Sequence, residues 1–369
     1  MGEANTESLI PFSEATRIER LDSHVYRAHL IDSFCIGTVP NGGYVATCLL
    51  QAAGMHLAQR TGQKDVLNAH FQFLNRTETG PAIIVIEDVK LGRQLSTLHA
   101  TLYQHALLPE APWITAGSTR KEVAAYLTMA DLRKERGLSL PTSFITSLQQ
   151  QHPVAAAAPP RPDFAALKRE DGDAHWARYR FPRGSPLAHS RCLRNTVYYD
   201  LRGSGGGGGG GGQQPPAARR RTVIDKWVRL ASGERFTSAS LAFVADCWPY
   251  VVEEWRPTEQ EAAEAAARSG GEEEESVAVV VPFAPDARFW YPTVVLNLEV
   301  KKALPEEGVE WLQLRIQSKQ IKQGRFDLEV LILDEEGDLV ALSYHVNLIL
   351  GSERNMAERR RRKEPTSRM

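Results

Sequence analysis

A repeated order of elements is what most limits the folds open to this chain. Asn41-Gly42-Gly43 opens a helical pattern that sets Tyr44, Val45, Cys48, Leu49, Ala52 and Met55 on one face. Strand-like text follows at 70–74, 82–90 and 96–104. Far downstream, 241–248 reads as a compact apolar helix, followed by strand patterns at 294–300, 311–317, 326–333 and 339–350. Leu312, Leu314 and Ile316 alternate with Gln313, Arg315 and Gln317, which is the period of a half-buried antiparallel strand. Gly92-Arg93 and Gly324-Arg325 punctuate the same gap in the two copies. A helix followed by a meander of strands, met twice, reads as an internal duplication. One helix is too little for a bundle but covers one face of a curled antiparallel sheet, so each half is expected to be α+β. The expected halves are 1–130 and 196–352, joined by a segment at 131–195 with scattered prolines and poor periodicity that crosses the surface. Residues 353–369 are expected to form a basic, disordered tail.

The length of 369 residues suits two domains or one large one. Gly203 to Gly212 is glycine broken only by Ser204, and offers nothing to bury. Any glycine pattern matches such a run, so it is no evidence of a phosphate loop. Arg268 to Ser276 reads as a second solvated loop. A net charge of −1, with Arg359, Arg360, Arg361, Arg362 and Lys363 confined to the tail, argues against nucleic acid as a partner. No apolar run approaches the roughly 20 residues that span a bilayer. The N-terminus lacks the basic and apolar regions of a secretory signal. Cys35, Cys48, Cys192 and Cys247 show neither a CxxC pair nor zinc spacing with histidine, so free thiols in a reducing compartment are expected, with no metal or cofactor.

The chain has no GxSxG or HExxH motif, so a hydrolase here would use water activated by a carboxylate rather than a nucleophilic triad. Asp246 is the first candidate, because it lies in the otherwise apolar text Ser240-Leu-Ala-Phe-Val-Ala-Asp. Burial there favours the protonated form and the behaviour of a general base near neutrality; a structural aspartate satisfied by backbone or hydroxyl donors explains it equally well. Asn41, Gly42, Gly43 and Tyr44 open a helix at which a substrate could approach the backbone and N–H groups could meet an oxyanion, although a tight turn with an N-cap accounts for the same text. Thr293, opening a strand, could donate a hydroxyl, and His345, within the final strand, could act as an acid or base; most such residues only pack.

These residues together resemble the double-hotdog, type II acyl-CoA thioesterases and their fungal thioesterase-like relatives. The resemblance covers about 20–125 and 222–350. It rests on Pro40 to Tyr44, on Ala69 to Leu74, on Gly92 to Thr97, on Ser240 to Asp246 and on Glu336 to Ser343. It implies a tandem hotdog, each half a curled antiparallel sheet wrapped around one long helix, with the halves forming one continuous sheet. It further implies hydrolysis of acyl-CoA to free acid and CoA by a water held between an Asp, a Thr and a Gln, matched here by Asp246, Thr293 and, departing from the family, His345. Gly43 and the start of its helix would lie near the thioester. The departure matters because imidazole can become cationic while an amide cannot. Two other readings stand beside hydrolysis. One is a non-catalytic acyl or acyl-CoA binding module. The other is a hotdog dehydratase pairing His70 or His345 with Asp246.

Ser367-Arg368-Met369 resembles a peroxisomal tripeptide, which makes an import receptor a candidate partner and a peroxisomal or cytoplasmic address the expectation. Glu3 argues against myristoylation at Gly2. Acyl chain length and homo-oligomerisation stay open.

Overall fold

The computed structural model describes residues 9–142, 144, 160–181, 190–202, 223–256, 263 and 286–356. The glycine run, the Glu-rich loop, the arginine cluster and the C-terminal tripeptide lie outside these residues. In the first half, β1 (Val25–Leu30) precedes α1 (Gly42–Ala58), and β2 (Asp65–Phe73), β3 (Gly80–Lys90), β4 (Ser96–Gln104) and β5 (Arg120–Ala130) follow. In the second, β6 (Thr196–Leu201) and β7 (Val223–Leu230) precede α2 (Leu241–Asp246). Then come β8 (Thr293–Val300), β9 (Leu312–Gln317), β10 (Arg325–Leu333) and β11 (Leu339–Leu348).

These strands share one 14-stranded sheet whose order contains β1-β3-β4-β5-β2-β8-β11-β10-β9-β7-β6. The order is mirrored about its centre: in each half the strand after the helix lies innermost. There β2 and β8 pair antiparallel, with His70 opposite Asn297, and make the two halves one sheet. A register shift falls between Val66 and Asn68 in β2 and between Thr293 and Val295 in β8. Placing the same bulge at the same strand position twice is what a duplicated sequence does.

Helix α1 starts where the Asn41 side chain accepts from the Tyr44 N–H at 2.9 Å, the arrangement expected of an N-cap. It is buried nearly all round, because the sheet covers one side and α2 the other. A Cβ on Gly43 would stand 2.4 Å from the Ala242 carbonyl oxygen and 2.9 Å from Phe243 Cα, so only glycine lets the two helices approach this closely. One apolar cluster runs through both halves. All four cysteines are buried and free.

Three expectations need correction, the first being the disordered tail: Glu353–Met356 is helical, Asn355 is buried, and its carbonyl accepts from the Thr38 hydroxyl at 2.7 Å. The single long helix expected in each half is realised only in the first. In the second, tight turns of 3-10 helix at Ser238–Ser240 and Tyr250–Trp255 flank the short α2. Pro249, which has no N–H to donate to a preceding turn, stands between the last two pieces. The segment expected only to cross the surface also builds structure. Trp176–Arg178 pairs with β6 at the sheet edge, and Leu167 and Trp176 are buried with Trp227 and Trp311. Burying side chains of this size contributes about 2 kcal/mol each, enough to hold the segment down.

Candidate active site

Asp246 is the last residue of α2 and is 3% exposed. Its Oδ2 accepts from the Gly43 N–H at 2.8 Å and from Asn41 Nδ2 at 3.1 Å. Its Oδ1 accepts from the Thr293 hydroxyl at 2.7 Å. Three donors make a buried carboxylate tolerable. Asn41 serves twice, since its Oδ1 caps α1 while its Nδ2 reaches across to the other half. His345 Nδ1 lies 3.6 Å from Asp246 Oδ1, and its Nε2 is 2.7 Å from Ser343 Oγ. Asp246, Thr293 and His345 therefore meet, on elements more than forty residues apart in sequence.

Asn347 belongs to this constellation and was not singled out from the sequence. Its Nδ2 donates to the Thr293 hydroxyl oxygen at 3.0 Å, and Thr293 and Asn347 face each other across β8 and β11. A signal was present: Ser343, His345 and Asn347 share one strand face by period two, and all three are buried. A polar triplet on the inward face of a core strand marks a site more strongly than the histidine alone.

Asp246 and Thr293 form part of the wall of a cavity of about 410 Å³, together with Asn41 and Gly42. Much of the remaining wall is apolar, including Ile36, Phe73, Trp290 and Leu348. Arg76 and Arg354 also line it, and Arg76 Nη1 donates to the Arg354 carbonyl oxygen at 2.8 Å. A Cβ on Gly42 would stand 3.0 Å from Asp246 Oδ2 and 3.2 Å from Phe73 Cζ, so this glycine keeps the carboxylate open to the cavity.

Other expectations are revised by the geometry. Tyr44 is no part of the cavity wall. Its ring stacks on Phe34, and its hydroxyl donates to the Ala15 carbonyl at 2.9 Å and accepts from the Ile31 N–H at 3.2 Å. One turn into a buried helix, a tyrosine points to the core. Gly43 gives its N–H to Asp246, which leaves Gly42, at the first helical position, as the glycine on the wall. His70 is exposed, with Nδ1 2.7 Å from Asn297 Oδ1, so it forms no pair with Asp246.

Among the described residues one group offers metal-ligating atoms close together: His24, His56 and Asp88. Arg60 Nη1 already stands there, 2.7 Å from Asp88 Oδ2 and 2.9 Å from His56 Nε2, and supplies the positive charge itself. Burial opposes ionisation of Asp88, but hydrogen bonds from His56, Arg60 and His24 outweigh it and hold its carboxyl at about 2. No helix among the described residues is long and apolar enough to cross a membrane.

Comparison with known proteins supplies relatives. A family model described as the acyl-CoA thioesterase N-terminal domain matches residues 30–130, and one described as the C-terminal domain matches 198–349. The thioesterase-like protein TwmA of Talaromyces wortmannii is 46% identical over 350 residues, which is 94% of each chain. A hot dog fold protein of unknown function from Alicyclobacillus acidocaldarius superposes with a TM-score of 0.60 at 16% identity, over 92% of this chain and 98% of that one. An acyl-CoA thioesterase II from Mycobacterium marinum does so with a TM-score of 0.54 at 15% identity, over 92% and 98%. At such identities the structures speak for the fold alone, and the fold is the expected tandem hotdog.

Proposed function

The chain belongs to the acyl-CoA thioesterase family, and we propose that it hydrolyses acyl-CoA thioesters to free acid and CoA with a water activated by Asp246. The observation that carries this reading is the convergence of Asn41, Gly43 and Thr293 on one buried carboxylate at the wall of an open cavity. Asp246 takes a proton from water, whose oxygen attacks the thioester carbonyl carbon. The Gly42 N–H meets the oxyanion as it forms. The C–S bond then breaks, and the thiolate recovers the proton, so no acyl-enzyme forms. Thr293, held in turn by Asn347, fixes the carboxylate orientation, and His345 completes the site from behind. The apolar wall suits an acyl group. Arg76 and Arg354 suit the phosphates of CoA, since guanidinium groups pair with phosphate in a fixed geometry.

The same reading takes 1–130 and 196–352 as the two hotdog halves. It also takes Ser367-Arg368-Met369 as a peroxisomal signal, with a cytoplasmic address as the alternative.

Thiol release from acyl-CoA substrates of stepped chain length tests the proposal. Turnover by the native chain is expected, with a loss on the order of a hundredfold or more in Asp246→Asn. Unchanged turnover in that variant overturns the assignment. Tight acyl-CoA binding without thiol release identifies the binding-module alternative instead.

A further inference from the structure

We propose that Ser343 is a positioning residue that locks the tautomer of His345, so that the imidazole can share the proton Asp246 takes from water. This rests on the hydrolytic reading above. Ser343 has one hydrogen, and the carbonyl oxygen of Asn297, 2.7 Å from its Oγ, can only accept. Ser343 Oγ is therefore the acceptor for His345 Nε2, at 2.7 Å. With the proton on Nε2, Nδ1 carries a lone pair. That atom is buried, receives no hydrogen bond from the described residues, and faces Asp246 Oδ1 at 3.6 Å. Two acceptors facing each other without a hydrogen between them are unfavourable at rest, and the arrangement improves when a proton arrives.

The balance of the step follows. Water gives one proton to Asp246 as its oxygen bonds to the carbonyl carbon. The proton moves from the carboxyl to His345 Nδ1, leaving an imidazolium beside a carboxylate. When the C–S bond breaks, its electron pair stays on sulfur, and the proton returns through Asp246 to give the thiol. Nothing is oxidised or reduced. A serine is needed because without it the neutral ring can hold its proton on Nδ1, donate to Asp246 and block the transfer. The equivalent positions of the first half, Ala125 and Leu127, have neither group.

The experiment uses the full chain with 15N-labelled histidine, the His345 signals being assigned by their loss in His345→Gln. The native protein is expected to show the Nε2–H tautomer, and Ser343→Ala a mixture. In Ser343→Ala kcat falls about tenfold with KM within about twofold, and Ser343→Thr restores most of it. In the His345→Gln background, whose amide cannot tautomerise, Ser343→Ala has no further effect. An Nδ1–H tautomer in the native protein overturns the proposal, as does an equal fall in the His345→Gln background. The tautomer is read without turnover, so a chain that hydrolyses no thioester defeats the hydrolytic reading while the lock is still judged by its own signal.

Discussion

At one end of the helix pair, Thr293 faces Asn347 across the sheet, with His345 and Ser343 next along the strand. At the other end Val66 faces Met129, with Leu127 and Ala125 next. The registers match residue for residue, bulge included. Asp246 stands as far from the Thr237 cap as Leu50 stands from the Asn41 cap. The polar groups of the second end are engaged with one another. Asp65 accepts from the Leu132 N–H at 3.1 Å and from Arg133 Nη1 at 3.1 Å, while Arg133 Nη2 donates to the Leu304 carbonyl at 2.9 Å. Ser238 Oγ accepts from the Leu304 N–H at 3.1 Å. The backbone thus offers two equivalent places, and side chains alone decide that one faces a cavity with a carboxylate while the other is closed by an ion pair.

The most damaging way to erase this difference is to copy the closed end onto the open one. Thr293→Val with Asn347→Met installs the residues found opposite each other at the second end. Thioester hydrolysis should fall about a hundredfold, while stability falls by only about 1–3 kcal/mol, because the buried Asp246 Oδ1 loses the Thr293 hydroxyl. A melting curve showing the chain unfolded at the assay temperature, or undiminished turnover, breaks the comparison. The reverse probe is Asp65→Asn, which leaves Arg133 without its carboxylate. Unfolding in urea should show a loss of about 2 kcal/mol, moderated by the partial exposure of Arg133, with kcat retained. A collapse of kcat at undiminished stability would mean the second end is not silent.

The smallest effect concerns the rim of the open end. The Glu122 carbonyl holds the N–H groups of Leu74 and Asn75, next to Arg76 on the cavity wall. Burial pushes the Glu122 carboxyl up to about 7, with Arg120 only partly opposing it. The folded state therefore holds this proton more tightly than the unfolded one. Its stabilising contribution is present below the usual glutamate value of 4.5 and is lost as pH rises through 7. Denaturant midpoints of Glu122→Gln should be flatter than those of the native protein across that window, by on the order of 1 kcal/mol.

Much of this was legible in the residues. Period-two alternation exposed the second meander, and an aspartate in apolar helical text exposed Asp246, because both signals are local. The lost parts depend on contacts remote in sequence. Asn347 matters only because the ladder sets it opposite Thr293, and Tyr44 misleads because its direction follows from the sheet that α1 packs against. The strand Trp176–Arg178 has little periodicity of its own and forms because an edge and an indole-lined pocket await it. The break in the second helical layer is foreshadowed by Pro249, whose missing N–H interrupts the helical run that the apolar residues before it begin.

Gly43 and Asn41 come from one half of the molecule, Asp246 and Thr293 from the other, and the ladder between β2 and β8 holds them in register. Because one chain carries both halves, each sees the other at a fixed effective concentration, whatever the amount of protein in solution. The constellation therefore does not come apart on dilution: specific activity should be the same at the lowest enzyme concentration an assay can read as at the highest.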